Sequence, residues 1–417
     1  MRRSTDVRKE GIRLKIALFG AFGVGNLGNE CTLQALLYNI RNYVPGADIS
    51  CICEGPQEVR STYNIRASPI RENPLSPINN HVLRFLRRVL VGVPLELLRW
   101  LKAIATLKDV DMLIMSGTGM LADFGIGPFG LHYEILRWTV TARLCRCKVL
   151  FLSVGAGPLQ HRLSRRFIKA ALSCADYRSY RDHYSKNYLK SIGFDSERDS
   201  VYPDLAYSFP IAKIPPANHD EASHETVIGV GLITYFNRRC TLPEDETVYR
   251  DYIEKLGNFV SWLREKKYTV RLLIGDVGYD QRARQDLKAF IEERGGDYTN
   301  ESIIDDPGAS VDDVLSQLAA TDLVVASRFH NVLLSLMLGK PVLAISYNEK
   351  VDALIAGVGL AEFSQDIERI DLEKMTRQFD ELEKKANCTR LQLQRNAEAC
   401  RLALDDQYDR IFNHRLA

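Results

Sequence analysis

The residues of this sequence best suited to chemistry are Arg328, Phe329 and His330. They lie where a strand-like run, residues 323–327, passes into a helix-like run, residues 331–340. A strand that delivers an arginine and a histidine to the start of a helix places them beside unpaired backbone N–H groups and the positive end of the helix dipole. The junction therefore predicts a binding site for a small anion. The alternative interpretation is that Arg328 pairs with a structural carboxylate and that His330 packs in the core.

A second arginine, Arg181, occupies a similar junction, between the apolar run that ends at Tyr180 and a helical pattern that starts near Asp182. Alone, such an arginine is most often part of a surface salt bridge. Together with Arg328 and His330 it predicts an anion clamp, because a guanidinium group binds carboxylate or phosphate through two parallel hydrogen bonds.

A glycine-rich turn follows the first strand-like run. Residues 23–28 match the G-x-G-x-x-G dinucleotide fingerprint, and Glu54 ends the next strand where a ribose-binding acid would lie. The same turn carries groups that suit hydrogen bonding to a sugar, namely Gly25, Asn26, Asn29 and Glu30. A third interpretation is a tight turn that needs glycine only for its backbone conformation.

Two more glycine-rich turns, residues 116–119 and residues 155–158, follow later strand-like runs. Turns at the carboxyl ends of neighbouring parallel strands line one edge of a sheet, so we expect a binding cleft there. Asp123 follows the first of them, and we take it as a candidate base or as an acceptor for a sugar hydroxyl. The alternative is that it caps a helix.

Two series of short apolar runs, separated by helical patterns, predict the elements that hold these residues. Residues 210–225 are polar and separate the two series. We therefore predict an α/β fold with two Rossmann-like, doubly wound domains facing a cleft. Their bounds are residues 11–212 and residues 225–370, and a helical segment, residues 371–417, follows, of which residues 371–404 are expected to pack on the outside.

Charge and cysteine content narrow the class of protein. The 417 residues include 55 Lys and Arg against 53 Asp and Glu, and this near balance argues against a nucleic-acid-binding protein. The nine cysteines form no C-x-x-C pair, so we expect reduced thiols and no metal site. The N-terminus is polar and no apolar run reaches about 18 residues, so we predict a cytoplasmic protein without a spanning helix.

Residues 79–104 differ from their surroundings, because arginines and lysines alternate with leucine, valine and aromatic residues. This composition is typical of a basic amphipathic segment, and it predicts peripheral contact with an anionic membrane. The alternative is an ordinary helical hairpin that packs on the domain and is broken by Gly92 and Pro94.

The order of these motifs resembles the bacterial polysaccharide pyruvyl transferases. The resemblance extends from about residue 14 to residue 360, and its most specific block combines Arg328-x-His330 with Tyr347-x-x-Lys350. In two places the sequence departs from the usual pattern: Asn29 stands where Asp is common, and Thr118 replaces a glycine.

The resemblance implies a glycosyltransferase-B-type fold and an enzyme that moves the enolpyruvyl unit of phosphoenolpyruvate onto two hydroxyls of a sugar. The product is a pyruvate ketal, and phosphate is released. The acceptor would belong to an exopolysaccharide, a cell-surface glycan or a lipid-linked precursor. The sequence leaves the sugar and the oligomeric state open.

The same resemblance assigns roles to the candidate residues. The phosphoenolpyruvate site would contain Arg181, Arg328, Phe329, His330 and Lys350. A histidine of near-neutral pKa suits proton transfer, so His330 would be the general acid or the group that protonates the departing phosphate. Asp123 would activate the acceptor hydroxyl, and Gly25, Asn26, Asn29 and Glu30 would hold the sugar. No metal and no cofactor are expected, because the arginines can carry the charge.

Three other classes of protein fit parts of the sequence. A nucleotide-sugar glycosyltransferase of the same fold would bind a nucleotide diphosphate in the C-terminal domain. A nicotinamide-dependent enzyme would use residues 23–28 with Glu54. A non-catalytic partner in polysaccharide export would bind glycan and release no phosphate.

Overall fold

The computed structural model describes residues 13–71, 91–123, 127–211, 225–235, 246–294, 302–306 and 308–415. Within these residues, two parallel sheets follow one another along the chain. This arrangement agrees with the predicted pair of doubly wound α/β units. The domain limits at residues 212, 225 and 370 stay predictions.

The first sheet has seven strands, in chain order β1 Lys15–Gly20, β2 Asp48–Cys53, β3 Arg66–Pro69, β4 Met112–Met115, β5 Lys148–Val154, β6 Tyr177–Tyr180 and β7 Ser200–Val201. Their order across the sheet is β3-β2-β1-β4-β5-β6-β7. The helices of this part are α1 Leu27–Tyr43, α2 Pro56–Tyr63, α3 Val93–Leu107, α4 Leu131–Leu144, α5 Arg162–Ser173 and α6 His183–Ser191.

The second sheet has six strands, β8 Val227–Gly231, β9 Thr269–Leu273, β10 Ile303–Ile304, β11 Leu323–Ala326, β12 Val342–Ser346 and β13 Ser364–Asp366. Their order is β10-β9-β8-β11-β12-β13. Its helices are α7 Thr247–Glu265, α8 Gln281–Glu293, α9 Val311–Ala319, α10 Phe329–Met337 and α11 Glu349–Gly357. Two further helices follow, α12 Leu372–Lys384 and α13 Ala386–Asp409.

The central strands are apolar because both faces of each parallel sheet are covered. All four residues of β4 and all four of β11 are buried. The strand order reverses between β1 and β4 in the first sheet and between β8 and β11 in the second. Ligands of open α/β sheets bind at such reversal points, beyond the carboxyl ends of the strands. Both reversal points therefore mark the place for a site.

The backbone of the first glycine turn bonds directly to the second unit. Leu27 donates from its N–H to the carbonyl of Gly275 at 3.1 Å, and Val277 donates to the carbonyl of Gly25 at 2.9 Å. The two reversal points thus face each other across a short contact.

The C-terminal segment, in which residues 371–404 were predicted to pack on the outside, continues as a helix beyond that stretch. Two helices form, and α13 returns to the first unit, where Gln407 and Tyr408 are fully buried. Gln407 donates to the hydroxyl of Ser179 at 2.6 Å, and the hydroxyls of Tyr408 and Ser208 lie 3.1 Å apart. The sequence pattern was dominated by charged residues on the exposed side, which hid this contact.

Residues 79–90 of the predicted amphipathic segment lie outside the described residues. The remainder begins α3, with Gly92 at its N-cap and Pro94 in its first turn. Pro94 does not break a helix there, because a first-turn residue has no N–H bond to lose. No helix within the described parts of the chain is long and apolar enough to cross a bilayer.

Candidate functional site

His330 lies at the contact between the two units, in the first turn of α10. Its ring packs on Gly28 of α1, where a β-carbon would lie 1.8 Å from the ring Cγ. The Nε2 atom is buried and has no hydrogen-bond partner. A buried ring nitrogen without a partner is uncommon and points to a missing ligand or water. The site therefore has a ring nitrogen, Nε2 of His330, that is available to form a hydrogen bond with a ligand or water.

The pKa of His330 is lowered to about 3, first by burial and then by the positive charges of Arg181 and Arg328. The expectation of a near-neutral histidine was therefore wrong for the unliganded protein. The ring is neutral at physiological pH because removal from water and two nearby cations both disfavour the imidazolium form.

Arg328 is bound to a buried carboxylate. Its Nε lies 3.0 Å and its Nη2 2.6 Å from oxygens of Asp280, whose side chain is fully buried. The sequence left open whether Arg328 binds an anionic ligand or pairs with a structural carboxylate. The pair with a structural carboxylate is present in the structure. The guanidinium side chain remains 20% exposed, so its role in anion binding stays a prediction.

Asp280 is the residue that sequence reasoning missed. Besides Arg328, it accepts hydrogen bonds from the backbone N–H groups of Thr234, Gly275 and Asp276. These groups come from the loops after β8 and β9, and Arg328 follows β11, so one carboxylate joins three strand ends. The sequence did contain a feature that pointed to Asp280, because residues 275–280 form another glycine-containing turn after a strand.

Arg181 reaches from the first unit to the second. Its guanidinium carbon lies 4.2 Å from the ring centroid of Phe329, in a cation–π contact. Its Nη1 lies 3.2 Å from Asp204, and both side chains are 4% exposed. A β-carbon on Gly155 would lie 2.7 Å from Nε of Arg181. The glycine turn after β5 therefore leaves room for the arginine, and the contact with Phe329 brings Arg181 to the residue that follows Arg328.

A cavity of about 500 Å³ opens beside this contact. Its lining includes Arg181, Phe329 and Lys350, three of the five residues predicted to hold the donor. Lys350 is 8% exposed, and its pKa is lowered to about 7, first by burial and then by Arg181. Arg181 is thus brought to Phe329 and Lys350, which are distant from it in sequence, whereas Arg328 and His330 are not among the residues that line this cavity.

The predicted acceptor residues of the first turn make contacts within the protein. Asn26 caps α1 by accepting from the N–H of Asn29, and its amide lies 3.3 Å from Asp276 in the second unit. The amide of Asn29 donates to the carbonyl of Ala21 at 3.1 Å. Gly25 accepts from the N–H of Val277. Their role toward a sugar stays a prediction.

Glu30 holds the glycine turn closed. Its carboxylate accepts from the N–H of Gly23 at 2.6 Å and from the hydroxyl of Tyr63 at 3.0 Å. Burial raises the pKa of this carboxyl group. Because an internal carboxylate occupies an N–H that a dinucleotide phosphate would need, this geometry disfavours the nicotinamide alternative.

Asp123 lies after β4, where the sequence placed it. One of its oxygens lies 3.3 Å from the N–H of Gln160, and its own N–H donates to the carbonyl of Pro158. It therefore borders the glycine turn that follows β5. In the described part of the chain, no three His, Cys, Asp or Glu side chains gather in a group that could hold a metal ion.

Two parallel α/β units that meet at their strand ends define a glycosyltransferase-B-type protein, and solved structures share this fold. UDP-GlcNAc 2-epimerase from Methanocaldococcus jannaschii has a TM-score of 0.58 at 11% identity, over 88% of this chain and 92% of that chain. MurG from Acinetobacter baumannii has a TM-score of 0.52 at 13% identity, over 95% of this chain and 98% of that chain. At such identities the likeness concerns the fold alone.

The sequence model of the polysaccharide pyruvyl transferase family matches residues 26–349, so the chain belongs to that family and is a transferase. The amylovoran biosynthesis protein AmsJ of Erwinia amylovora is 21% identical to it over an alignment of 387 residues, and the match covers 86% of this chain and 89% of that protein.

Proposed function

We propose that this enzyme transfers the enolpyruvyl unit of phosphoenolpyruvate to a sugar of an exopolysaccharide, a cell-surface glycan or a lipid-linked precursor. The observation that carries the proposal is the contact of Arg181 with Phe329, which brings an arginine of the first unit to the Arg328–His330 junction of the second. Phosphoenolpyruvate has two anionic groups, a carboxylate and a phosphate. Two arginines at the meeting point of two domains match that pair of charges.

The carboxylates near the arginines support this assignment. Asp280 fixes the direction of Arg328, and Asp204 fixes that of Arg181. Side chains already held in place lose less conformational freedom when a ligand binds. Lys350 lines the same cavity and is a further candidate contact for phosphate. No metal is part of the proposal, in which Arg181, Arg328 and Lys350 make the contacts to the donor's anionic groups.

The reaction transfers two hydroxyl protons of the acceptor. One proton is needed on the methylene carbon of phosphoenolpyruvate, which becomes the methyl group of the ketal. The other proton leaves with phosphate. This happens when the bond breaks between the central carbon of the donor and the oxygen that bridges to phosphorus. Two new carbon–oxygen bonds to the sugar complete the ketal. A group that carries a proton to the methylene carbon is therefore required.

His330 is the proposed proton carrier. Its ring would become protonated only when the donor binds. Burial first, and then the charges of Arg181 and Arg328, lower its pKa in the free enzyme. A donor carboxylate and phosphate beside those arginines would counter their charge and raise the pKa of the ring. Protonation would then accompany donor binding. Asp123 is proposed to accept the acceptor's hydroxyl proton, with Asn26 and Asn29 orienting the sugar.

The experiment is phosphate release from phosphoenolpyruvate with a panel of sugar and lipid-linked sugar acceptors, alongside calorimetric donor binding. Acceptor-dependent release would support the proposal, whereas tight nucleotide binding without donor binding would favour a nucleotide-sugar glycosyltransferase. Arg181→Lys keeps the charge beside Asp204 but loses the planar fork, so donor affinity should fall at least about tenfold.

Arg178→Lys is the matched control for that variant. Arg178 lies on β6, three residues before Arg181, pairs with Asp199 at 2.9 Å and packs over Phe194. It lies outside the cavity that Arg181 lines. Donor affinity should therefore be unchanged. Equal losses in both variants would mean that the effect is structural and would overturn the role given to Arg181.

A further inference from the structure

The outward face of α3 holds a concentrated group of exposed apolar side chains. Twelve large apolar side chains are exposed among the described residues, and five of them lie within residues 91–101. Four form what we call the α3 stripe: Val93, Leu97, Leu98 and Leu101. Leu97 is 62% exposed and Leu101 60%. Their spacing of three and four residues places them on one side of the helix.

The opposite side of α3 packs on the first unit. Ala103 and Leu107 are its buried residues. Glu96 accepts hydrogen bonds from the hydroxyl of Tyr133 at 2.7 Å and from Arg99 at 3.2 Å. Glu96 is the one acidic residue in the sequence of this helix, and it is engaged by these contacts. The outward face therefore combines apolar side chains with no carboxylate of its own.

A basic cavity of about 330 Å³ lies beside the stripe. Its lining includes Arg99, Lys102 and Trp138. The side chain of Arg99 is 11% exposed, and its Nε is buried without a hydrogen-bond partner. A buried guanidinium N–H without a partner suits an anionic group that enters the cavity. In the sequence, three more arginines, Arg84, Arg87 and Arg88, precede the helix.

The orientation of α3 places the α3 stripe near the edge of the first sheet where the strands end, which is the edge that carries the candidate functional site. Lys108, just after the helix, and Lys15, at the start of β1, line one cavity at the amino ends of the strands. The N-terminal half of α3 therefore points toward the opposite edge, where the strands end. That edge carries the candidate functional site.

We propose that α3 docks this protein on an anionic lipid bilayer. The α3 stripe enters the boundary between headgroups and acyl chains, Lys102 contacts lipid phosphates at the flank of the helix, and Arg99 lines the cavity that a phosphate enters. An amphipathic helix with an apolar face and a basic flank binds membranes in this way. A bilayer is favoured over a second protein copy because both the cationic lining and the missing carboxylate match an anionic surface. The proposal is independent of pyruvyl transfer.

The test is sedimentation of the full chain with vesicles of phosphatidylcholine, with and without phosphatidylglycerol, at low and high salt. The wild type should bind the anionic vesicles at low salt. Leu97→Gln combined with Leu101→Gln should reduce that binding at least about tenfold, because two leucines no longer enter the bilayer. Lys102→Glu should reduce binding to anionic vesicles as well.

Leu391→Gln combined with Leu402→Gln is the matched control, since these leucines of α13 are 59% and 60% exposed. Their replacement should leave vesicle binding unchanged. Wild-type protein that ignores anionic vesicles, or a Leu97 and Leu101 variant that binds as tightly, would overturn the proposal. So would light scattering that shows a dimer lost in that variant, because the stripe would then be an interface between copies.

Discussion

The imidazole of His330 lies directly on the backbone of Gly28. A β-carbon at residue 28 would lie 1.8 Å from the ring Cγ and 2.1 Å from Nδ1. These residues belong to different α/β units and lie about three hundred positions apart. The first glycine-rich turn and the Arg-x-His junction, which the sequence presents as separate motifs, are therefore two halves of one contact.

Gly28→Ala should disrupt this contact. The Cγ of His330 is only one bond beyond its β-carbon, so the ring cannot avoid the new methyl group unless α10 moves. Overpacking of this kind costs about 1–3 kcal/mol of unfolding free energy, and donor binding should weaken as well. Urea unfolding measures the first effect and calorimetry the second.

Gly127→Ala is the matched control, because a β-carbon at Gly127 meets no atom within 4 Å. Its unfolding curve should match that of the wild type. A Gly28→Ala protein with unchanged stability and donor affinity would contradict the close approach of α1 and α10.

Asp280→Asn should be strongly destabilising. The substitution leaves the guanidinium of Arg328 without its counter-ion in a site where Asp280 is fully buried. Removing one partner of a buried pair costs about 3–5 kcal/mol. The comparison is Asp306→Asn, which removes a carboxylate that is 58% exposed and pairs with Arg271. An exposed pair contributes about 0–1 kcal/mol, so similar losses in the two variants would argue against the buried pair.

Lys350 should make stability depend on pH. Its pKa in the folded protein is lowered to about 7 by burial and by Arg181, whereas a lysine in an unfolded chain titrates near 10.4. Between these values the unfolded chain binds more protons, so stability rises with pH by on the order of 1 kcal/mol per unit. Below pH 7 Lys350 is protonated in both the folded and the unfolded chain, and the folded protein bears the full free-energy cost of burying its charge.

Lys350→Met removes that dependence. Its stability advantage over the wild type should be largest near pH 6 and should shrink toward pH 10. Urea unfolding at several pH values measures the difference in unfolding free energy between the variant and the wild type. Lys340, with a pKa of about 8, titrates in both proteins, so its contribution cancels. A difference that stays constant with pH would show that Lys350 has an ordinary pKa.

His330→Gln should affect turnover far more than donor binding. The amide preserves a polar side chain but cannot carry a proton to carbon, so phosphate release should fall about 10²–10⁴-fold, a larger factor than the loss of donor affinity that comes with the missing proton uptake. A variant that releases phosphate at nearly the wild-type rate would remove His330 from the mechanism.

Donor binding by the wild type should also take up a proton that the His330→Gln variant does not. The pKa of the ring is about 3 in the free enzyme, and the donor's negative charges should raise it. Calorimetry in two buffers of different ionisation enthalpy at pH 5.5 gives the number of protons. Titration of the donor itself is common to both proteins and cancels. Equal proton uptake in both would show that another group is protonated.

The sequence alone determined the parallel α/β architecture, because buried parallel strands read as short apolar runs and glycine turns mark their carboxyl ends. It located β2 at its observed bounds, Asp48–Cys53, and β11 within one residue. It did not show the short outer strands β3, β7, β10 and β13. Edge strands of two to four residues bury too little apolar surface to leave a clear pattern.

The sequence also identified Arg181, Arg328 and His330 from their place at strand-to-helix junctions. Only the tertiary structure decided what these side chains meet, since Asp280, Asp204 and Gly28 are brought to them by chain segments distant in sequence. The protonation state of His330 was decided there too. Burial and the charges of neighbouring arginines set a pKa, and both are properties of the folded chain rather than of the residue type.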